Sequence, residues 1–274
     1  MSVPILITGC SSGIGHATAE LLVGNGHLVY ATARRAEAIA DLQRAGARTL
    51  ALQVGDEDSM RAAVEAVERD HGAVGVLVNN AGYAVSGAIE AVSLQAVRDE
   101  FETNLFGSLR MAQLVLPAMR ARRRGRIIDV SSVAGRVTMP GAGAYAASKY
   151  AIEALSDALR FEVSGFGVSV IVIEPGPIRT AFTATANAAL AGDGGGPYGA
   201  YHAAVAKADA ETDESFIAGK PDQVAQAIER AITAARPRSR YRVTPIARVL
   251  PVLRGVLGDR GFDRFLRTQI KPPG

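Results

Sequence analysis

The sequence predicts an α/β fold, a doubly wound parallel sheet of about seven strands with helices on both faces. Three observations predict it. Short β-branched runs alternate with longer stretches of helical period, as strands joined by helical crossovers should. The first of these runs leads at once into a glycine-rich turn, Thr8 to Gly15, that opens a helical stretch. The chain has 274 residues, 48% hydrophobic and 21% charged, so it carries enough apolar surface to order a core within one domain.

Strands are expected at 5–8, 28–33, 49–54, 76–79, 126–131, 168–174 and 241–244, with helices between them. In the crossover after the third strand, Ala62, Val64, Ala66 and Val67 read as the buried face and Arg61, Glu65 and Glu68 as the wet one. Right-handed crossovers put such helices on both sides of the sheet. Two segments break the rhythm. The stretch 177–219 is rich in Ala, Gly and Thr, includes Gly192-Asp193-Gly194-Gly195-Gly196-Pro197, and reads as a loose flap over a substrate. In the tail, 246–270, Val249, Leu250, Leu253, Val256 and Leu257 share one helical face, and Phe262, Phe265 and Leu266 follow a break at Gly258. Its arginines leave a substrate cover, a subunit contact and a membrane-surface helix all open. No repeat or linker divides the chain, so one domain over 1–274 is expected.

A formal charge of +3, from 30 basic and 27 acidic residues, aims no strong field at nucleic acid. Arg122-Arg123-Arg124 with Arg126 is too short a run for a nucleic-acid footprint and reads as a solvated connection. Cys10 is the sole cysteine, which excludes an internal disulfide and suits a reducing cytoplasm. Neither an export signal nor 18 uninterrupted apolar residues is visible, and no histidine, cysteine or carboxylate pattern suggests a metal.

In Thr8-Gly9-Cys10-Ser11-Ser12-Gly13-Ile14-Gly15, Gly9 can make a turn that a β-carbon would forbid. Gly13 and Gly15 let backbone and helix approach a pyrophosphate at the positive helix N-terminus. Cys10 reads as a small filler and His16 as a helix-surface residue. The Gly-x-x-x-Gly-x-Gly spacing resembles the short-chain dehydrogenase/reductase family, a Rossmann-type fold. Asn79-Asn80-Ala81-Gly82 resembles its sheet-bracing run beside the cofactor, and Pro175-Gly176-Pro177-Ile178-Arg179-Thr180 its nicotinamide-contacting segment. The resemblance implies cofactor contacts from Thr8, Gly9, Ser11, Ser12, Gly13, Ile14, Gly15, Asn80, Ala81, Gly82, Pro175, Gly176, Ile178 and Thr180. Gln53-Val54 stands where the family usually has an acid and a small apolar residue at the adenine. Arg34, helped by Arg35, follows the second strand where an acid would select NAD, so NADP is expected in preference to NAD.

Tyr145 and Lys149 lie four apart at the start of a helical stretch and so share a face. Carbonyl reduction needs a proton at the oxygen as hydride reaches the carbon, and an ammonium beside a phenol, together with a cationic nicotinamide, should lower the phenol pKa from about 10. Ser132, thirteen positions before Tyr145, and Asn104 match the family's catalytic serine and its fourth catalytic residue. The resemblance implies that Ser132 orients the substrate oxygen, Tyr145 exchanges the proton, Lys149 also holds the ribose, and Asn104 holds a relay water. The C-terminal third is similar to the 17β-hydroxysteroid dehydrogenase-like and retinol dehydrogenase-like branch. A pocket lined by Val137, Met139 and Phe182 would favour hydrophobic carbonyl or alcohol substrates. A catalytically silent NADP-binding regulator and an acyl-chain ketoreductase are the alternatives, and a homodimer or homotetramer is expected.

Overall fold

A computed structural model describes residues 3–188, 190 and 196–273. Seven strands form one sheet: β1 (Ile5–Ile7), β2 (Val29–Ala33), β3 (Arg48–Ala51), β4 (Val76–Asn79), β5 (Gly125–Val130), β6 (Val168–Pro175) and β7 (Arg240–Val243). Their order is β3-β2-β1-β4-β5-β6-β7 and every pairing is parallel. The seven expected strands are all present, with ends shifted by up to three residues. The order reverses between β1 and β4, and in such a sheet the crevice outside the strand C-termini at that point is where ligands bind.

Alternation along the strands feeds two cores. Ile5 and Ile7 face α1 (Gly13–Gly24) and α9 (Pro221–Thr233), through Ala19, Leu22, Val224 and Ile228. Leu6 and Leu77 face α3 (Glu57–His71) and α5 (Ser108–Ala121), through Val64, Val67, Met111 and Val115. The buried face of α3 is Met60, Ala63, Val64 and Val67; Ala62 points to solvent, because the true stripe begins at Met60. The remaining helices are α2 (Ala40–Ala45), α4 (Leu94–Phe101), α6 (Gly143–Val163), α7 (Phe182–Asn187), α8 (Gly199–Glu214) and α10 (Pro245–Gln269).

Arg122, Arg123 and Arg124 are exposed in the connection between α5 and β5, as expected, whereas Arg126 is structural. The Arg126 guanidinium donates to the carbonyls of Ala231, Ile232 and Ala234, satisfying acceptors that the end of α9 leaves without amide partners.

The flap is more ordered than its composition suggests, because α8 is sixteen residues long and buries His202 and Val205. His202 Nε2 accepts the Ala88 amide at 3.0 Å, and Arg179 binds the Asp213 and Ser215 carbonyls. Gly192 to Gly195 lie outside the described residues.

The tail is the larger correction. Its two helical stretches meet at Gly258 (φ 62°), and Leu250 and Phe262 are buried with Val137 while Leu253, Phe265 and Leu266 pack alongside. Val249, Val252 and Val256 stay 58%, 60% and 78% exposed, so the expected single apolar face splits in two. The reason is angular. At 100° per residue, Val249, Val256 and Val252 lie about 100°, 120° and 160° around the helix from Leu250, which meets the core.

Phe262→Ala should lower the free energy of unfolding by about 3 kcal/mol, since it empties the centre of this third cluster. Urea unfolding measures it, and a loss below about 1 kcal/mol would mean that the tail contributes little to the fold.

Candidate active site

The turn from β1 into α1 is held from the next strand. Thr8 Oγ1 accepts the amides of Asn80 (3.0 Å) and Ala81 (2.9 Å), and Asn80 Nδ2 donates to the carbonyls of Thr8 (2.9 Å) and Gly9 (3.0 Å). These bonds draw the turn so tight that a β-carbon at Gly9 (φ +72°) would lie 2.8 Å from Ala81 Cα. One at Gly15 would lie 2.3 Å from the Gly9 carbonyl oxygen and 2.4 Å from Asn80 Nδ2. Ser12 precedes α1 in an extended conformation and makes no side-chain cap bond, so the first amides of the helix face outward unsatisfied, an anion cradle.

Thr180 closes the other side, its Cγ2 3.3 Å from where a Gly13 β-carbon would stand. Ile178 is buried and bridges to Gly219. Arg34 and Arg35 are exposed just beyond β2 and have no hydrogen-bond or ion-pair partner among the described residues. Gln53 is exposed, while Val54 packs on Gly107. These residues fit a dinucleotide: a cradle that side chains would fill, free amides at a helix N-terminus, and, at the end of β2, guanidinium groups without a partner among the described residues.

Tyr145 and Lys149 occupy the first turns of α6, beside the end of β5. Lys149 is 6% exposed; its ammonium donates to the Val130 carbonyl at 2.9 Å and lies 5.6 Å from the Tyr145 ring centre. Ser132 follows β5, its Oγ accepting the Ala134 amide at 3.1 Å, and its hydroxyl hydrogen-bonds the Tyr145 phenol. Asn104 is buried in a π-helical turn, Glu102–Gly107, between α4 and α5, the kind of insertion that recurs at functional sites. Its Oδ1 accepts the Tyr83 amide (3.1 Å), and its Nδ2 donates to the Tyr83 carbonyl (2.8 Å) and to Ser148 Oγ (3.1 Å). Gly82 lets these groups meet, because a β-carbon there would lie 2.8 Å from Asn104 Oδ1 and 3.8 Å from Lys149 Nζ.

The family model for short chain dehydrogenases matches residues 4–191. The chain belongs to the short-chain dehydrogenase family. It is an oxidoreductase that acts on CH–OH or C=O with a nicotinamide cofactor. It is 35% identical to an NADPH-dependent 3-dehydrocapnine reductase of Ornithobacterium rhinotracheale, over 97% of this chain and 96% of that one. It is also 35% identical to human 17-beta-hydroxysteroid dehydrogenase type 1, over 96% of this chain and 83% of that one. The crystal structure of a short-chain dehydrogenase from Streptomyces avermitilis superposes with a TM-score of 0.80 at 33% identity, covering 97% of each chain.

Within this short-chain dehydrogenase, electrostatics differ from the expectation in one respect. The protein's own groups raise the pKa of Tyr145: burial pushes the phenol up to about 12, the Ser132 hydroxyl opposes this, and the Glu100 charge adds to it, so any lowering falls to the cationic nicotinamide. Burial also pulls Lys149 down to about 8, against the upward influence of Glu100, Asp129 and Glu153. Desolvation outweighs the lysine's influence on its neighbour.

Sequence reasoning passed over the buried polar layer behind these residues. Asp129 accepts from Asn79 Nδ2 and Ser156 Oγ, both at 2.9 Å, and Glu100 and Ser148 adjoin Asn104. The available signal was a carboxylate inside an apolar strand, Ile127-Ile128-Asp129-Val130. Cys10 is sealed, with burial pushing its thiol up to about 12, and His16 pairs with Asp41 at the surface.

A cleft of about 550 Å³ opens among Ile89, Met139, Pro140, Tyr198, Tyr201 and Leu266, with Arg254 and Arg267 on its wall. Of the residues expected in the pocket, Met139 lines it. Val137 is consumed by the tail cluster, and Phe182 packs edge-on against Tyr145 with ring centres 5.4 Å apart.

Gly15→Ala should weaken NADPH binding more than tenfold, as read by isothermal titration. Helix propensity alone would favour alanine by about 1 kcal/mol, so only the clash in the cradle produces such a loss.

Proposed function

We propose that this enzyme is an NADP(H)-dependent oxidoreductase that moves a hydride between the nicotinamide and a ketone or alcohol on a hydrophobic substrate. The observation that carries this reading is the convergence of Tyr145, Lys149, Ser132 and Asn104 on one point beside the glycine turn. The bound cofactor supplies the hydride. Thr8, Gly9, Ser11, Ser12, Gly13, Ile14 and Gly15 hold its pyrophosphate, Arg34 and Arg35 its 2′-phosphate, and Gln53 and Val54 its adenine. Asn80, Ala81 and Gly82 flank it, and Pro175, Gly176, Ile178 and Thr180 hold the carboxamide.

The Ser132 hydroxyl holds the substrate oxygen. Tyr145, kept protonated at neutral pH by its raised pKa, gives that oxygen a proton, and Lys149 binds the ribose and refills the phenol from solvent past Asn104. The cleft's apolar lining, and the names of relatives that reduce 3-dehydrocapnine or act on 17-beta-hydroxysteroids, support a hydrophobic substrate.

The whole chain works as one dinucleotide-binding domain in the cytoplasm. It assembles as a homodimer or homotetramer; Tyr150 and Phe161, 41% and 85% exposed on α6, support a covered face.

Tyr145→Phe should cut kcat at least a hundredfold while leaving the Kd of NADPH within about threefold, because the ring still packs but the proton donor is gone. Steady-state rates with a ketone panel and a cofactor titration read both; more than a tenth of kcat remaining would remove Tyr145 from the chemistry. For Arg34→Ala, the ratio of NADH to NADPH dissociation constants should fall by about tenfold to a hundredfold, the worth of a charge-assisted bond to phosphate. An unchanged ratio would place the 2′-phosphate elsewhere.

A further inference from the structure

Glu100 is a carboxylate with no exposed surface, in α4 one turn before Asn104, where the helix runs on through the π-helical turn into α5. Burying an ionised carboxylate without return costs several kcal/mol. Its surroundings belong to the active site. Oε2 accepts the Val85 amide at 3.0 Å, while Oε1 faces Asn104 Nδ2 at 3.4 Å and Ser148 Oγ at 3.5 Å. Ser148, between Tyr145 and Lys149 on α6, is anchored to the Tyr145 carbonyl at 2.8 Å.

From these contacts, and on the catalytic reading above, we propose that Glu100 is a positioning residue: it fixes the side-chain amide of Asn104 and supplies the countercharge that keeps Lys149 an ammonium during turnover.

The orientation follows from the contacts. Asn104 has an acceptor against the Tyr83 amide and donors against the Tyr83 carbonyl, Ser148 and Glu100. Flipping the amide would set its oxygen against the Tyr83 carbonyl and the Glu100 carboxylate.

The countercharge follows from the ionisable groups around Glu100. Lys149 Nζ stands beside Asn104, which Glu100 touches: a β-carbon at Gly82 would lie 2.8 Å from Asn104 Oδ1 and 3.8 Å from Lys149 Nζ. Lys149 and Tyr145 on α6 and Tyr83 after β4 feel the Glu100 charge, and Asp99, on its own helix, acts on Tyr83. Burial pushes Glu100 up to about 7, with the Val85 amide, the Lys149 ammonium and Ser148 opposing. It therefore ionises as pH rises toward the region near 8 where Lys149 loses its proton. Its negative charge then holds the lysine's proton on and the phenol's proton in place. Below pH 7 the acid is neutral and exerts neither effect.

Glu100→Gln removes the charge and keeps the shape. Both Lys149 and Tyr145 should then deprotonate at lower pH, so the alkaline fall of kcat/KM for ketone reduction should begin at least half a unit earlier. The ratio of kcat/KM at pH 6 to that at pH 8.5 should rise at least threefold over wild type, and Glu100→Asp, which keeps the charge, should restore most of it. A role in packing alone would lower the rate equally at all pH values, and parallel profiles would overturn the proposal. If the glutamine variant does not fold, carbon-13 and nitrogen-15 spectra of the wild type decide. The Glu100 carboxyl should titrate near pH 7 and perturb the Lys149 ammonium signal; no titration between pH 5 and 9, or no response at Lys149, would overturn it. Tyr145→Phe in parallel separates this proposal from its foundation. An active phenylalanine variant sinks the catalytic reading, whereas an inactive one beside a wild-type profile for Glu100→Gln sinks only the role of Glu100.

Discussion

Lys149 carries a positive charge to a place that water barely reaches. Its ammonium is 6% exposed, bonded to the Val130 carbonyl and surrounded by Glu100, Asp129 and Glu153. An ion so placed is tolerable only if its partners are rigid, and the local architecture provides that rigidity. Asp129 is itself fixed by Asn79 and Ser156, which joins β4, β5 and α6 behind the site. The strand ends, the π-helical turn and the first turns of α6 are thereby held around one charge.

The same constraint extends to the sheet edge. Glu153 shares Arg240 with Asp157 and Glu174, and Glu174, 0% exposed, also takes Arg242. Strand β7 contributes these arginines, so the last strand is held as much by charge pairing with α6 and β6 as by its ladder. Breaking one member would strand a buried carboxylate, a heavier loss than the pair's own contribution to stability. The tail then packs on Val137, five residues beyond Ser132.

The sheet was legible because strand and helix patterns are written in adjacent residues, and each of the seven strands falls within three residues of its expected ends. The glycine turn and the Tyr145/Lys149 pair were legible for the same reason, since short spacings fix geometry. What stayed hidden depends on distant contacts. Nothing near Glu100 in sequence announces that Val85, Asn104 and Ser148 converge on it, and nothing in the tail's pattern says which of its apolar stripes meets Val137. The raised pKa of Tyr145 belongs to this class too, because desolvation is a property of the assembled site and not of the phenol and ammonium alone.

Cys10 sits in the middle of the phosphate turn, yet its sulfur is 0% exposed and turned to the Ile7 carbonyl. Only the thiolate reacts readily with peroxide or disulfides, and a thiol held near pKa 12 offers almost none. Cys10 is the sole cysteine of the chain, so the folded protein presents no reactive thiol to glutathione or alkylating agents. The turn most exposed to chemistry by its position in the sequence is thereby closed to thiol modification by its burial in the fold.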